Sequence, residues 1–166
     1  MNNPTTIERK SERELVITRT FNGPAHIVFE AWTKPELIKR WWMPKSVGAS
    51  FISCEVDART GGTYRFVFSH PAFDQPMAFF GRYVEVTRYS RIVWTNEESA
   101  DGALTTVTFE ENGGKTLLVL HELYPSKQAL DDAIASGSTS AAPEQFEQLD
   151  ETLATLVASE KAHSRA

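Results

Sequence analysis

A single cysteine, Cys54, stands among the 166 residues. No intrachain disulfide can form, so packing must hold the fold, and a reducing cytoplasm is the expected setting. No apolar run approaches the ~18 residues of a membrane-spanning helix, so membrane insertion is not expected. The opening segment MNNPTTIERKSERE is polar and has no signal-peptide core. Basic charge is also scarce: 17 Lys and Arg against 22 Asp and Glu leave a net charge of −5. That balance argues against nucleic acid or an anionic membrane as the main partner. The four histidines, His26, His70, His121 and His163, are scattered and lack metal-ligand spacing. There is no G-x-S-x-G elbow. Gly61-Gly62 lacks the lysine and spacing of a phosphate loop. No metal, no cofactor and no catalytic residue is therefore assigned.

Aromatic residues are plentiful, at 11% of the chain with ten Phe. Such side chains fill cores and also line cavities. The length suits one domain, expected over residues 13–160, with a disordered lead over 1–12 and a disordered tail over 161–166. RELVITRTF (13–21) alternates as a strand, with Leu15, Ile17 and Arg19 on one face. Two short helices follow, PAHIVFEAWTK and then ELIKRWW after Pro35. From residue 50 the period changes to two. Strands are expected over 50–58, 63–70, 77–89, 91–98, 104–111 and 115–123, joined by RTGG, ADG and NGG turns. Gly81 marks a bend or bulge in the third of these. A short helix over 126–136 precedes a long one opened by Pro143. Phe146, Leu149, Leu153, Leu156 and Val157 form its apolar stripe.

The class is α+β: a curved antiparallel meander covered on its concave face by the C-terminal helix. Where sheet and helix diverge, a wedge stays open and becomes a pocket, closed at one end by the early helices. Strand alternation puts Tyr64, Phe66 and Phe68 on one face, and Phe79 with Tyr83. Trp94 and Phe109 sit on equivalent faces of their strands. With Phe146, Leu149 and Leu153 opposite, and Phe29, Trp32 and Trp42 from the early helices, these are the expected cavity lining. Core packing alone would use the same residues.

The segments FNGPAHIVFEAWTKPELIKRWWMPK, CEVDARTGGTYRF, GRYVEVTRYSRIVWT and TVTFEENGGKTLLVLHEL follow one another in an order that resembles the START-like (SRPBCC) superfamily. The branch they resemble is the one similar to the C-terminal domain of the activator of heat-shock protein 90 ATPase. The match covers about residues 13 to 160. It rests on the AWT-x-P-E-x(5)-WW segment and the D-x-R-x-GG-x-Y-x-F turn. The resemblance implies a helix-grip fold with a deep hydrophobic cavity. Across the superfamily such cavities hold lipids, polyketides, hormones or aromatic compounds, and a few members catalyse cyclisation or hydrolysis. The co-chaperone carries a further N-terminal domain used in stimulating its client. With the first strand expected near residue 13, that domain is not expected here, and a chaperone partner is disfavoured. The family often has Gly-Trp near the start of the last helix; here PEQFEQLDETL has Phe146 as its only aromatic.

The expected function is non-catalytic binding of a small hydrophobic or aromatic molecule. The alternatives are a chaperone-associated module and a cyclase- or hydrolase-type enzyme. His121, in LLVLHEL, shares a face with Leu117 and Val119. If that face is concave, it points into the pocket and orients a ligand with Tyr64 and Tyr83, or acts as a base. The other reading is a satisfied structural histidine. Arg65 and Arg82 either reach a ligand carboxylate or balance surface acids. Cys54 reads as a small buried hydrophobe. Leu118 and Leu120 make the same strand apolar on both faces, so a second subunit is expected to cover part of the outer surface. In KPELIKRWWMPK, Leu37 precedes Trp41 by one turn and Ile38 precedes Trp42, with Lys39 and Arg40 toward water. Trp41 is expected to anchor the lid in the core. Trp42 is expected nearer the rim, its indole N–H meeting an acceptor.

Overall fold

Alternation of buried and open side chains sets the sheet. In Glu14–Phe21 (β2), Leu15, Ile17, Arg19 and Phe21 are buried and their neighbours are not. The two-residue period also builds Ser50–Val56 (β3), Thr63–Ser69 (β4), Met77–Thr87 (β5), Arg91–Thr95 (β6), Leu104–Asn112 (β7) and Lys115–Leu123 (β8). The structure, a computed structural model, describes residues 4–164. Part of the expected disordered lead is instead a strand, Thr6–Arg9 (β1), paired antiparallel with β2. Its four side chains are exposed, so hydrophobic patterning carries no trace of it. Backbone pairing along the edge of β2 creates it, and Arg9 ties it to Asp131 at 2.7 Å. Residues 1–3 and 165–166 lie outside the described residues.

The strand order is β1-β2-β8-β7-β6-β5-β4-β3, antiparallel throughout. The meander from β3 to β8 matches the expected one, and β8 closes it onto β2. Register shifts fall between Phe51 and Ser53 and between Tyr83 and Glu85. The bend or bulge expected at Gly81 is not there; the register shift in β5 falls between Tyr83 and Glu85 instead. Gly81 serves a different need. A Cβ there would lie 2.0 Å from the Thr95 carbonyl oxygen, so only glycine lets the two backbones approach.

The helices are Ala25–Ala31 (α1), Pro35–Trp41 (α2), Lys127–Ala135 (α3) and Ala142–Ser164 (α4). The Ser126 hydroxyl caps α3 by accepting from the Ala129 N–H at 3.1 Å. α4 runs past the expected limit at 160 into the expected tail, and lays Phe146, Leu149 and Leu153 on the sheet. The result is the helix-grip arrangement of a curved sheet around one long helix.

Rows of paired residues cross the concave face. Arg19, Leu118 and Phe109 form one; Ile17, Leu120, Val107 and Ile92 form the next; Leu15, Glu122, Thr105, Trp94 and Tyr83 form a third. Beyond the first row lies the sealed core, where Phe21 meets Phe146 and Phe29 meets Phe109, each at a ring separation of 5.4 Å. Arg19 is buried under α4, paired with Asp150 and with Glu147 at 3.2 Å. A charge so deep is tolerable only with such partners.

Candidate functional site

At the third row the sheet and α4 part, and a cavity of about 740 Å³ opens between them. The first helices contribute Trp32, Trp41 and Trp42. The sheet contributes Tyr64, Phe66, Phe79, Tyr83 and Trp94, and α4 contributes Phe146. The rim is polar, with Glu98, Ser99 and Asp101 on one side and Asp132 of α3 on the other.

Of the residues expected to line a cavity, Trp32, Trp42, Tyr64, Phe66, Phe79, Tyr83, Trp94 and Phe146 do so. Phe29, Phe109, Leu149 and Leu153 do not, because they pack in the sealed core. Phe68 stacks on Phe79 at 5.3 Å, outside the lining.

His121 is a correction. It lies on the outer face of β8, where its Nε2 is 2.7 Å from Glu14 Oε2. That hydrogen bond is the main reason the Glu14 carboxyl sits below the usual carboxylate range. The segment KTLLVLHEL is apolar on both parities, so periodicity alone cannot choose its inner face. Pairing does: Phe109 opposes Leu118 and Thr105 opposes Glu122, which turns Thr116, Leu118, Leu120 and Glu122 inward. Leu117, beside His121's face, is 37% exposed.

The inward residue is therefore Glu122. Burial pushes its carboxyl up to about 7; the Tyr124 hydroxyl and the nearby His121 only partly oppose the rise. Thr105 and Asn96 complete the polar end of the cavity. The Asn96 amide donates to the Thr105 hydroxyl at 2.9 Å and to the Ala103 carbonyl at 2.7 Å. Tyr64 donates its hydroxyl to the Thr95 carbonyl at 2.7 Å. Burial raises the phenols of Tyr64, Tyr83 and Tyr124, which keeps them neutral. None of Glu122, Thr105, Asn96 and Tyr124 was singled out from the sequence. A signal existed for the first two. Gly113 and Gly114, both at positive φ, form a two-residue hairpin turn. Counting outward from that turn pairs Phe109 with Leu118 and Thr105 with Glu122.

The tryptophan pair divides as expected in burial. Trp41 is 2% exposed, and its ring lies 4.7 Å from that of Trp32. Trp42 is half-buried and meets Phe66 and Phe79 at 5.1 Å each. The indole that finds the acceptor here is Trp41's, donating to the Ala31 carbonyl at 2.9 Å. α4 grips the segment that follows. The Gln148 amide donates to the carbonyls of Trp41 and Met43 and accepts from the Lys45 N–H. Gln145 donates to the Trp42 carbonyl.

Other sequence candidates face away from the cavity. Arg82 pairs with Glu97 at 2.8 Å on the surface, and Arg65 lies over Phe80. Arg59 bonds both Asp57 oxygens, which stabilises the turn. Cys54 is half-buried, and burial raises its thiol to about 11, so it stays protonated. Among the described residues no three His, Cys, Asp or Glu side chains meet as metal ligands would. No helix is long and apolar enough to cross a membrane, again among the described residues.

A family model described as Activator of Hsp90 ATPase homolog 1-like protein matches residues 22–154. No curated protein matches the chain. Solved structures do. A Rhodobacter sphaeroides protein is 24% identical, covering 92% of this chain and 99% of that one, with a TM-score of 0.83. A Nitrosomonas europaea protein is 23% identical, over 90% and 99%, with a TM-score of 0.80. A Staphylococcus epidermidis protein is 28% identical, over 90% and 94%, with a TM-score of 0.76.

Proposed function

The chain belongs to the Activator of Hsp90 ATPase homolog 1-like family, and we propose that its cavity binds a small, largely aromatic or apolar molecule carrying one polar group. The observation that carries this reading is the row Tyr83, Trp94, Thr105 and Glu122. It sets two aromatic rings, a hydroxyl and a carboxyl side by side on the wall of a cavity of about 740 Å³. That volume falls in the range of small-molecule sites, which pair an apolar lining with a few placed polar groups. The apolar body would lie against the aromatic walls and its polar group would meet Glu122.

Native mass spectrometry of freshly purified protein tests this, together with thermal melting across a library of lipids and aromatic compounds. A co-purified mass or a dose-dependent rise in Tm supports it. A bare protein with no shift across the library counts against it.

Glu122 also supports a second reading, general acid–base catalysis. A carboxyl titrating near neutrality inside a cavity meets the pKa requirement for proton transfer. Recovery of a ligand chemically unchanged after long incubation removes that reading. A role on a chaperone rests on the family description alone; an unchanged heat-shock protein 90 ATPase rate in the presence of this protein removes it.

A further inference from the structure

Resting on the reading that the cavity binds a small molecule, we propose that the ligand is an organic ammonium: a protonated or quaternary amine on an apolar or aromatic body, seated between the aromatic wall and Glu122. The first ground is the sign of the lining. Glu98, Asp101, Glu122 and Asp132 border the cavity, and among the described residues no Lys, Arg or His does. Two basic side chains near Glu122 and Tyr124, Arg13 and His121, lie outside that lining and are each bonded. Arg13 donates its Nε to the Tyr124 carbonyl at 2.8 Å, and His121 is bonded to Glu14. An anionic ligand would meet four carboxyl groups and no cation.

The second ground is the wall itself. Trp32, Trp42, Tyr64, Tyr83 and Trp94 present π-faces or edges to one space. Trp and Tyr faces attract ammonium groups, most of all quaternary ones stripped of water. The third is placement. Trp94, Thr105 and Glu122 are consecutive in one row across β6, β7 and β8. Neighbouring strands lie about 4.8 Å apart, so the indole and the carboxyl spring from backbones roughly 10 Å apart. The short Thr105 side chain lies on the cavity wall between them. Its hydroxyl accepts from Asn96, so it faces the ligand already occupied. Carboxylates on the exposed rim, with a net charge of −5 on the chain, favour approach of a cation. A neutral ligand would use none of these charges.

Three probes sharing a naphthylethyl body separate the possibilities: the trimethylammonium, the alcohol and the carboxylate, each titrated calorimetrically into the full chain. The ammonium is expected to bind about tenfold or more tightly than the alcohol, with no measurable binding of the carboxylate. In Glu122→Gln the ratio of ammonium to alcohol affinity is expected to fall about tenfold, and in Trp94→Leu severalfold. Melting curves first establish that each variant folds. An alcohol or carboxylate that binds the native chain as well as the ammonium overturns the proposal while leaving the cavity reading intact. An ammonium preference unchanged in both variants overturns the placement at Glu122. Failure of all three probes to bind overturns the proposal, and the library screen then decides the cavity reading on its own.

Discussion

The two ends of the concave face share one sheet and one covering helix, yet they are built to different ends. At the sealed end Phe21, Phe29, Phe109, Leu149 and Leu153 interlock, and a deep charge, Arg19, is held by acids of α4. At the open end Tyr83, Trp94, Thr105 and Glu122 face space, with a carboxyl that burial pushes toward neutrality. The sealed end supplies stability, and the open end gives up some of it to keep a cavity. Similar aromatic residues at the two ends should therefore respond differently to truncation.

The largest effect is expected at the closed boundary. Trp41→Ala removes an indole that borders the cavity yet is 2% exposed and packed on Trp32, and it leaves the Ala31 carbonyl without its donor. It should destabilise by roughly 3–5 kcal/mol in urea unfolding. Next is Glu122→Gln. A carboxyl whose folded pKa is raised binds its proton more tightly in the native state, so native stability falls as pH rises from about 4.5 toward 7. Its neighbours in this balance are the Tyr124 hydroxyl and His121, with Glu98, Asp101 and Asp132 bordering the same cavity. The variant loses that penalty. Relative to the native chain it should gain on the order of 1–3 kcal/mol at pH 8 and little at pH 4.5. A difference independent of pH would remove Glu122 from the cavity wall.

Trp94→Ala comes third. A side chain facing a cavity has partner atoms on one side only, so the change should cost roughly 1–2 kcal/mol. A value equal to that of Trp41→Ala would abolish the distinction between the two ends. The smallest effect belongs to His121→Ala. Its hydrogen bond with Glu14 is partly exposed and lies outside the cavity. Loss below about 1 kcal/mol is expected, with ligand affinity unchanged.

Much of this molecule is legible in its sequence. Alternation, turn glycines and the helical stripe place β2 to β8 and all four helices, because each buries a face of one periodicity. β1 escapes because its residues bury nothing. The sealed and open ends escape as well. Phe109 and Trp94 both face inward, but the rings of Phe29 and Trp32 close over Phe109, while Trp94 meets Trp32 and still borders the cavity. His121 and Glu122 are the sharpest case. Residues 117–120 are four apolar residues in succession, and such a run hides which parity is inside.

Because the turn at Gly113-Gly114 sets which of two adjacent residues looks inward, the dipeptide His121-Glu122 amounts to a choice written in one place and read in another. One residue inserted in that turn, with β8 re-pairing against β7, would bring the imidazole to the wall and send the carboxyl outside. An acidic chamber would become one bearing a base, with no substitution in the wall itself. Hairpin length is thus a route by which relatives sharing this fold can diverge in what they bind, and a lever for anyone redesigning the chamber.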